Sequence, residues 1–174
     1  MELKNKIRAI ENYPKEGVIF RDITTLLKDK DAFKKAVDEM AEKIDDDVDK
    51  IIGIEARGFI FASALAYKLD KGFVPVRKPG KLPWDKERES YELEYGEDSI
   101  EIHKDAIEAG EKIVIVDDLL ATGGTAKACV KLVEKLEGKV SSAIFLVELE
   151  DLKGREILEG TKVESIIKYW FKIF

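Results

Sequence analysis

The feature that most constrains this chain is a change of period repeated along its length. Short apolar runs, "KIIGIE" (50–55), "GFVPV" (72–76), "KIVIVD" (112–117) and "SSAIFLVEL" (141–149), read as buried strands. Between them lie segments whose apolar residues recur every three or four positions, the spacing of one helix face. Phe33, Ala36, Val37, Met40, Ala41 and Ile44 form one such stripe, and "GFIFASALAYKLD" (58–70) is a mostly apolar helix. A third helix runs from about Gly124 to Leu136, with Ala126, Cys129, Val130, Val133 and Leu136 on one face. Strands and helices in alternation imply βαβ units, hence an α/β fold with a central, mainly parallel sheet and helices on both sides. At 174 residues the chain suits a single domain over 1–174.

Charge and composition remove several functional classes. With 30 basic against 36 acidic residues the net charge is -6, which argues against general nucleic-acid binding but leaves room for one local anion pocket. Cys129 is the one cysteine, so no internal disulfide forms and a reducing compartment, the cytoplasm, is expected. "MELKNKIRAIEN" (1–12) reads as a short amphipathic helix, because charges interrupt every apolar run of a would-be signal. No stretch approaches the roughly 20 apolar residues that a membrane-spanning helix needs.

Residues 77–103, "RKPGKLPWDKERESYELEYGEDSIEIH", depart from the alternation. The first half carries two prolines, a glycine and a charge cluster, and should be an exposed loop. The second half alternates, with Tyr91, Leu93 and Tyr95 on one side and Glu92 and Glu94 on the other, as in a strand with one wet face. Such a loop and β-arm could be a lid or a solvated hairpin. His103, the lone histidine, reads as structural or as a subunit contact, and the aromatic tail 168–174 either closes the core or meets another subunit.

The chemistry concentrates in "KIVIVDDLLATGGT" (112–125). In open α/β sheets, ligands sit beyond the carboxyl ends of the strands. There, Ala121, Thr122, Gly123, Gly124 and Thr125 form a small-residue turn into a helix N-terminus, where glycine lets backbone N–H groups close on an anion and threonine hydroxyls add donors. A phosphate monoester is the expected guest. No Gly-Lys-Ser/Thr follows the strand, which disfavours a nucleotide triphosphatase. Asp117 and Asp118 repel each other, so structure alone gives little reason for their adjacency beyond a capping acid beside a solvated one. Two carboxylates suit the hydroxyls of a vicinal diol one sugar length from the phosphate, or else a metal. The two readings coexist if Mg²⁺ bridges sugar and polyphosphate.

"VIVDDLLATGGT" resembles the phosphoribosyl-pyrophosphate signature of the type I phosphoribosyltransferases, in the wording of their adenine branch. "YPKEGVIFRDIT" (13–24), "GIEARGFIF" (53–61), "GFVPVRKPGKLP" (72–83), "YELEYG" (91–96) and "LKGREIL" (152–158) are similar to that branch in the same order. The resemblance implies the type I fold, with a hood over 1–30, a lid over 77–103, Mg²⁺ as cofactor and a homodimer. It also implies transfer of adenine to phosphoribosyl pyrophosphate, giving AMP and pyrophosphate. It assigns the 5'-phosphate to 121–125 and the ribose hydroxyls to Asp117 and Asp118. Pyrophosphate falls to Glu55, Ala56 and Arg57, with Arg77 and Lys81 from the basic loop, and adenine to Ile19, Phe20 and Arg21. Read from residue type alone, Arg57 serves a surface salt bridge equally well, and Phe20 the core. Spacing does not choose between Glu92 and Glu94 as general acid/base; the family pattern selects Glu94, with Tyr95 closing over the site. By the same analogy Glu55–Ala56 is a cis peptide. "WDKERE" (84–89) departs from the commoner family wording. The alternatives are a different purine specificity, disfavoured because "GVIFRD" lacks a lysine donor for a 6-oxo group, or a non-catalytic purine- or phosphoribosyl-pyrophosphate-binding regulator.

Overall fold

The computed structural model describes residues 1–93 and 95–170, which group into two compact units, Met1–Glu39 and Met40–Phe174. In the first unit β1 (Arg8–Glu11) pairs antiparallel with β2 (Ile19–Asp22), and a short helix α1 (Thr24–Leu27) follows. The helix expected over 1–12 is absent. Residues 3–6 make a single 3-10 turn, and the chain then enters β1. The reason is local: so short a segment gains few helical hydrogen bonds against its nucleation cost. The hairpin instead satisfies the backbone and sets Arg8 opposite Asp22, joined by Nε–H···Oδ2 at 2.9 Å. The acid also accepts from the Thr24 backbone N–H at 2.9 Å and the Thr24 hydroxyl at 2.7 Å, so one carboxylate ties hairpin to helix. The amphipathic stripe of 33–44 forms α2 (Lys30–Ala41), which crosses the boundary between units.

The second unit is built on five parallel strands in the order β4-β3-β7-β8-β9, comprising β3 (Lys50–Ile54), β4 (Gly72–Val76), β7 (Lys112–Leu120), β8 (Lys139–Leu149) and β9 (Val163–Tyr169). α3 (Gly58–Leu69) links β3 to β4, and α4 (Gly124–Lys135) links β7 to β8. Strand β3 shows how alternate side chains serve two layers. Ile52 and Ile54 join a buried cluster with Ala126, Cys129 and Val133 of α4. Gly53 faces α3 so closely that a Cβ there would lie 2.8 Å from the Cβ of Ala62. A short helix α5 (Gly154–Ile157) precedes β9.

The charged stretch expected to be loop is largely β5 (Lys86–Glu92), paired antiparallel with β6 (Glu97–His103). Its charges have partners: Glu89 meets Lys135 at 2.7 Å and Lys131 at 3.7 Å, both on α4. The alternation read through Tyr95 ends earlier, at Glu92. The Leu93 N–H donates to the Gly96 carbonyl at 2.9 Å, and Gly96 takes φ 92°, so the chain reverses there. Tyr91 is consequently half-buried and packed on the core, whereas Tyr95 is 86% exposed. In β6, Ile100 and Ile102 are buried core residues, so only part of the 77–103 segment is surface. His103 accepts the Trp84 backbone N–H at 3.4 Å through Nε2.

Candidate active site

The strand order reverses direction between β3 and β7: β4 lies outside β3 on one side, β8 and β9 outside β7 on the other. Loops leaving β3 and β7 therefore diverge, and the crevice between them is where open α/β sheets bind ligands. Both sequence-selected segments, 55–57 and 117–125, occupy these two exits.

At the β3 exit the Glu55–Ala56 peptide is cis, in agreement with the family analogy. The Glu55 carboxylate accepts from Arg77 Nη2 at 3.2 Å, Arg77 Nε at 3.3 Å and the Lys78 backbone N–H at 2.9 Å. Burial pushes its pKa up, but these donors and the nearby Lys81 charge outweigh that and hold it below the usual range. Arg57, also from this loop, ion-pairs with Asp118, Nε to Oδ2 at 2.9 Å. Gly58 opens α3 against the acid pair: a Cβ there would stand 2.8 Å from Asp117 Oδ1 and 3.0 Å from the Val116 carbonyl.

Strand β7 extends through Leu120, beyond the expected end at Asp117, so both acids lie inside it. Alternation then gives them different surroundings. Asp118 is 6% exposed and held by Arg57. Asp117 accepts the Asp118 backbone N–H at 2.8 Å through Oδ1. Burial, reinforced by the neighbouring Asp118 charge, pushes the Asp117 carboxyl well above the usual carboxylate range.

Past β7, residues Ala121–Thr125 wrap a cavity of about 80 Å³ that also touches Asp117 and Phe145. Gly123 caps α4 with φ 87°, a conformation glycine adopts without steric cost. The first N–H groups of the helix, lacking carbonyl partners within it, point into such a turn. Tyr91 of β5 closes the rim: a Cβ on Gly124 would be 3.3 Å from its Cδ2. Its hydroxyl donates to Asp98 Oδ2 at 3.1 Å and accepts from Lys78 Nζ at 3.0 Å, and Lys78 also pairs with Asp98. Lys78 and Asp98 were not singled out from sequence, although Lys78 stands between Arg77 and Lys81 in the same basic loop, and Tyr91 was read only as part of one face of the arm.

The structure thus brings together Glu55, Ala56, Arg57, Arg77, Asp117, Asp118 and the 121–125 turn within one unit. Lys81 is exposed, just after Gly80, whose N–H donates to Glu101 Oε1 at 2.8 Å. Ile19, Phe20 and Arg21 lie half-buried on β2 of the other unit, where Phe20 meets Tyr13 edge-on at 5.3 Å. Glu94 lies outside the described residues. Among the described residues no group of three or more His, Cys, Asp or Glu side chains forms a metal cage, and no helix is long and apolar enough to cross a membrane.

A phosphate-sized turn, an acid pair and a basic loop at the switch point of a parallel sheet define a phosphoribosyltransferase. Accordingly, residues 24–172 match the family model for the phosphoribosyl transferase domain. An adenine phosphoribosyltransferase of Brachyspira hyodysenteriae is 58% identical over 97% of this chain and 100% of its own length. The crystal structure of adenine phosphoribosyltransferase from Thermoanaerobacter pseudethanolicus is 54% identical, covers 97% of this chain and 98% of its own, and superposes with a TM-score of 0.94. That from Saccharomyces cerevisiae, complexed with an imino-altritol bisphosphate and adenine, is 43% identical with a TM-score of 0.86, covering 93% and 94%. The chain belongs to the adenine phosphoribosyltransferase family.

Proposed function

We propose that this chain joins adenine to the ribose of phosphoribosyl pyrophosphate, as a pentosyltransferase of purine salvage. The N9–C1' bond forms as the C1'–O bond to pyrophosphate breaks, yielding AMP and pyrophosphate. The observation that carries this reading is the 121–125 turn wrapped around a cavity that the Asp117 carboxylate strand also lines. It pairs an anion cradle with hydroxyl acceptors along one cavity, the two functions that a ribose 5-phosphate needs.

In this reading backbone N–H groups and the hydroxyls of Thr122 and Thr125 hold the 5'-phosphate. The acid pair accepts hydrogen bonds from the 2'- and 3'-hydroxyls. Arg57 exchanges part of its contact with Asp118 for pyrophosphate oxygens, which its planar fork fits in pairs. Arg77 and Lys81 add positive charge, and the Glu55 and Ala56 backbone contributes at the same end. Ile19 and Arg21 read the adenine edge through their backbone while Phe20 packs on the ring. Glu94 hydrogen-bonds at adenine N7, favouring the tautomer whose free N9 attacks, and accepts the N7 proton as the N9–C1' bond forms, while Tyr95 covers the base. Residues 1–30 serve as hood and 77–103 contain the lid, within one catalytic domain.

Among the described residues no acidic cage forms, which suits a Mg²⁺ held mainly by substrate oxygens and water, and Asp117 and Asp118 are the carboxylates that would face it. When bound, that ion neutralises charge on the departing pyrophosphate. We assign the enzyme to the cytoplasm, consistent with a buried free thiol at Cys129, and expect a homodimer, for which the exposed Tyr67 and Phe73 offer apolar surface. The decisive experiment incubates purified protein with phosphoribosyl pyrophosphate, Mg²⁺ and each purine in turn. Rapid AMP formation with adenine is expected; preference for hypoxanthine, guanine or xanthine, or no product with any base, rejects the reading.

A further inference from the structure

The turn that we assign to the 5'-phosphate is seated directly on α5, a single helical turn. A Cβ on Gly123 would stand 2.6 Å from the Gly154 carbonyl oxygen and 2.9 Å from Ile157 Cγ1. A Cβ on Gly154 would stand 2.4 Å from the Ala121 carbonyl oxygen and 2.9 Å from Leu120 Cδ1. Backbone thus lies on backbone from both sides, and any shift of α5 moves residues 121–123.

What fixes α5 is Arg155. Its guanidinium donates through Nε to Glu148 Oε1 at 2.6 Å and through Nη2 to Oε2 at 2.8 Å. It also reaches the Val163 carbonyl through Nη1 at 2.6 Å and the Ser165 hydroxyl through Nη2 at 3.2 Å. The Ser165 hydroxyl donates in turn to Glu148 Oε2 at 2.5 Å, and Glu148 is only 3% exposed. One fork therefore fastens α5 to the ends of β8 and β9 together, a geometry that a lysine ammonium does not reproduce.

We propose that Arg155, through Glu148 and the Gly154–Gly123 contact, is the positioning residue that sets the phosphate turn, and so governs affinity for the 5'-phosphate selectively. This rests on the assignment of that turn made above. The test measures steady-state KM for phosphoribosyl pyrophosphate and for adenine, with equilibrium binding of AMP and of adenosine, which lacks the phosphate. The variants are Arg155→Lys and the double replacement Glu148→Leu with Arg155→Met, which keeps the volume apolar. We expect KM for phosphoribosyl pyrophosphate and Kd for AMP to rise roughly tenfold or more, as supporting-residue losses do. KM for adenine and Kd for adenosine should stay within about twofold. A folded variant with unchanged AMP affinity, or with equal losses for AMP and adenosine, overturns the inference. Should those variants not fold, Ile157→Ala, which leaves the arginine network in place, decides by the same pair of ligands. If the unmodified protein itself binds AMP no better than adenosine, the phosphate assignment of the turn fails instead.

Discussion

Because Asp117 is half-buried beside the charge of Asp118, while Asp118 is buried and faces the Arg57 guanidinium, two identical side chains stand in different environments. Burial raises the Asp117 pKa in the fold, so the folded state binds a proton that the unfolded chain gives up near the ordinary value of 3.8. The penalty is absent at low pH and grows as pH rises through that value, so ionising Asp117 weakens the fold at neutral pH. Asp117→Asn keeps the acceptor for the Asp118 N–H and removes the penalty. It should raise Tm at pH 7 by about 2–4 °C, the shift that 1 kcal/mol gives a chain of this length, while turnover falls roughly a hundredfold for want of a hydroxyl acceptor. Thermal melts at pH 4 and pH 7 check the sign: the gain should shrink at the lower pH. Turnover near that of the unmodified enzyme would refute the diol assignment. Glu94 stands apart, since its role comes from the family pattern alone. Glu94→Ala should lower kcat roughly a hundredfold, the size of a lost general acid/base, with KM for phosphoribosyl pyrophosphate little changed; the reverse pattern removes it from proton transfer.

The β1–β2 hairpin carries the residues assigned to adenine, and its geometry depends on Asp22, buried at the end of β2. Hydrogen bonds from Thr24 and then Arg8 hold the Asp22 pKa at about 2, against burial. Such a depressed acid stabilises the fold above its ordinary pKa of 3.8 and loses that contribution as pH falls toward about 2. Asp22→Ala removes both the acceptor for the Thr24 N–H and hydroxyl and the tie to Arg8. A loss of about 1 kcal/mol from such hydrogen bonds, or roughly fivefold in affinity, should appear in KM for adenine rather than for phosphoribosyl pyrophosphate; equal effects on both would detach the hairpin from base recognition. This hairpin is also where sequence was a poor guide. β1 is exposed along its length, so it leaves no alternating pattern to read. The sheet strands β3, β4, β7 and β8, by contrast, are apolar runs flanked by helical stripes, and both signals agree. Past Leu93 the alternation of tyrosines was misleading because Gly96 reverses the chain. The candidate site divides the same way. The acid pair and the glycine turn are contiguous and legible, whereas the Arg57–Asp118 pair and the seat of Gly123 on Gly154 join segments far apart in sequence.

At the scale of the whole molecule, a chain with net charge -6 is assigned a substrate that is itself a polyanion. Binding then depends on a local reversal of sign, and the structure contains one: Arg57, Arg77, Lys78 and Lys81 all follow the carboxyl ends of β3 and β4. Three of these cations are already shared with acids, Arg57 with Asp118, Arg77 with Glu55 and Lys78 with Asp98, which lowers their net field and leaves exposed Lys81 a larger share of the attraction at long range. Attraction across solvent is screened by salt, with a Debye length that falls from about 30 Å at 0.01 M to about 8 Å at 0.15 M. Adenine is neutral and feels none of this. Raising KCl over that range should therefore increase KM for phosphoribosyl pyrophosphate several-fold while leaving KM for adenine flat, and Lys81→Gln should flatten the salt dependence as well as weaken binding. Steady-state kinetics at fixed Mg²⁺ measure both. If KM for adenine climbs in parallel, or if Lys81→Gln keeps the full salt slope, the basic loop is not what draws the substrate to this acidic protein.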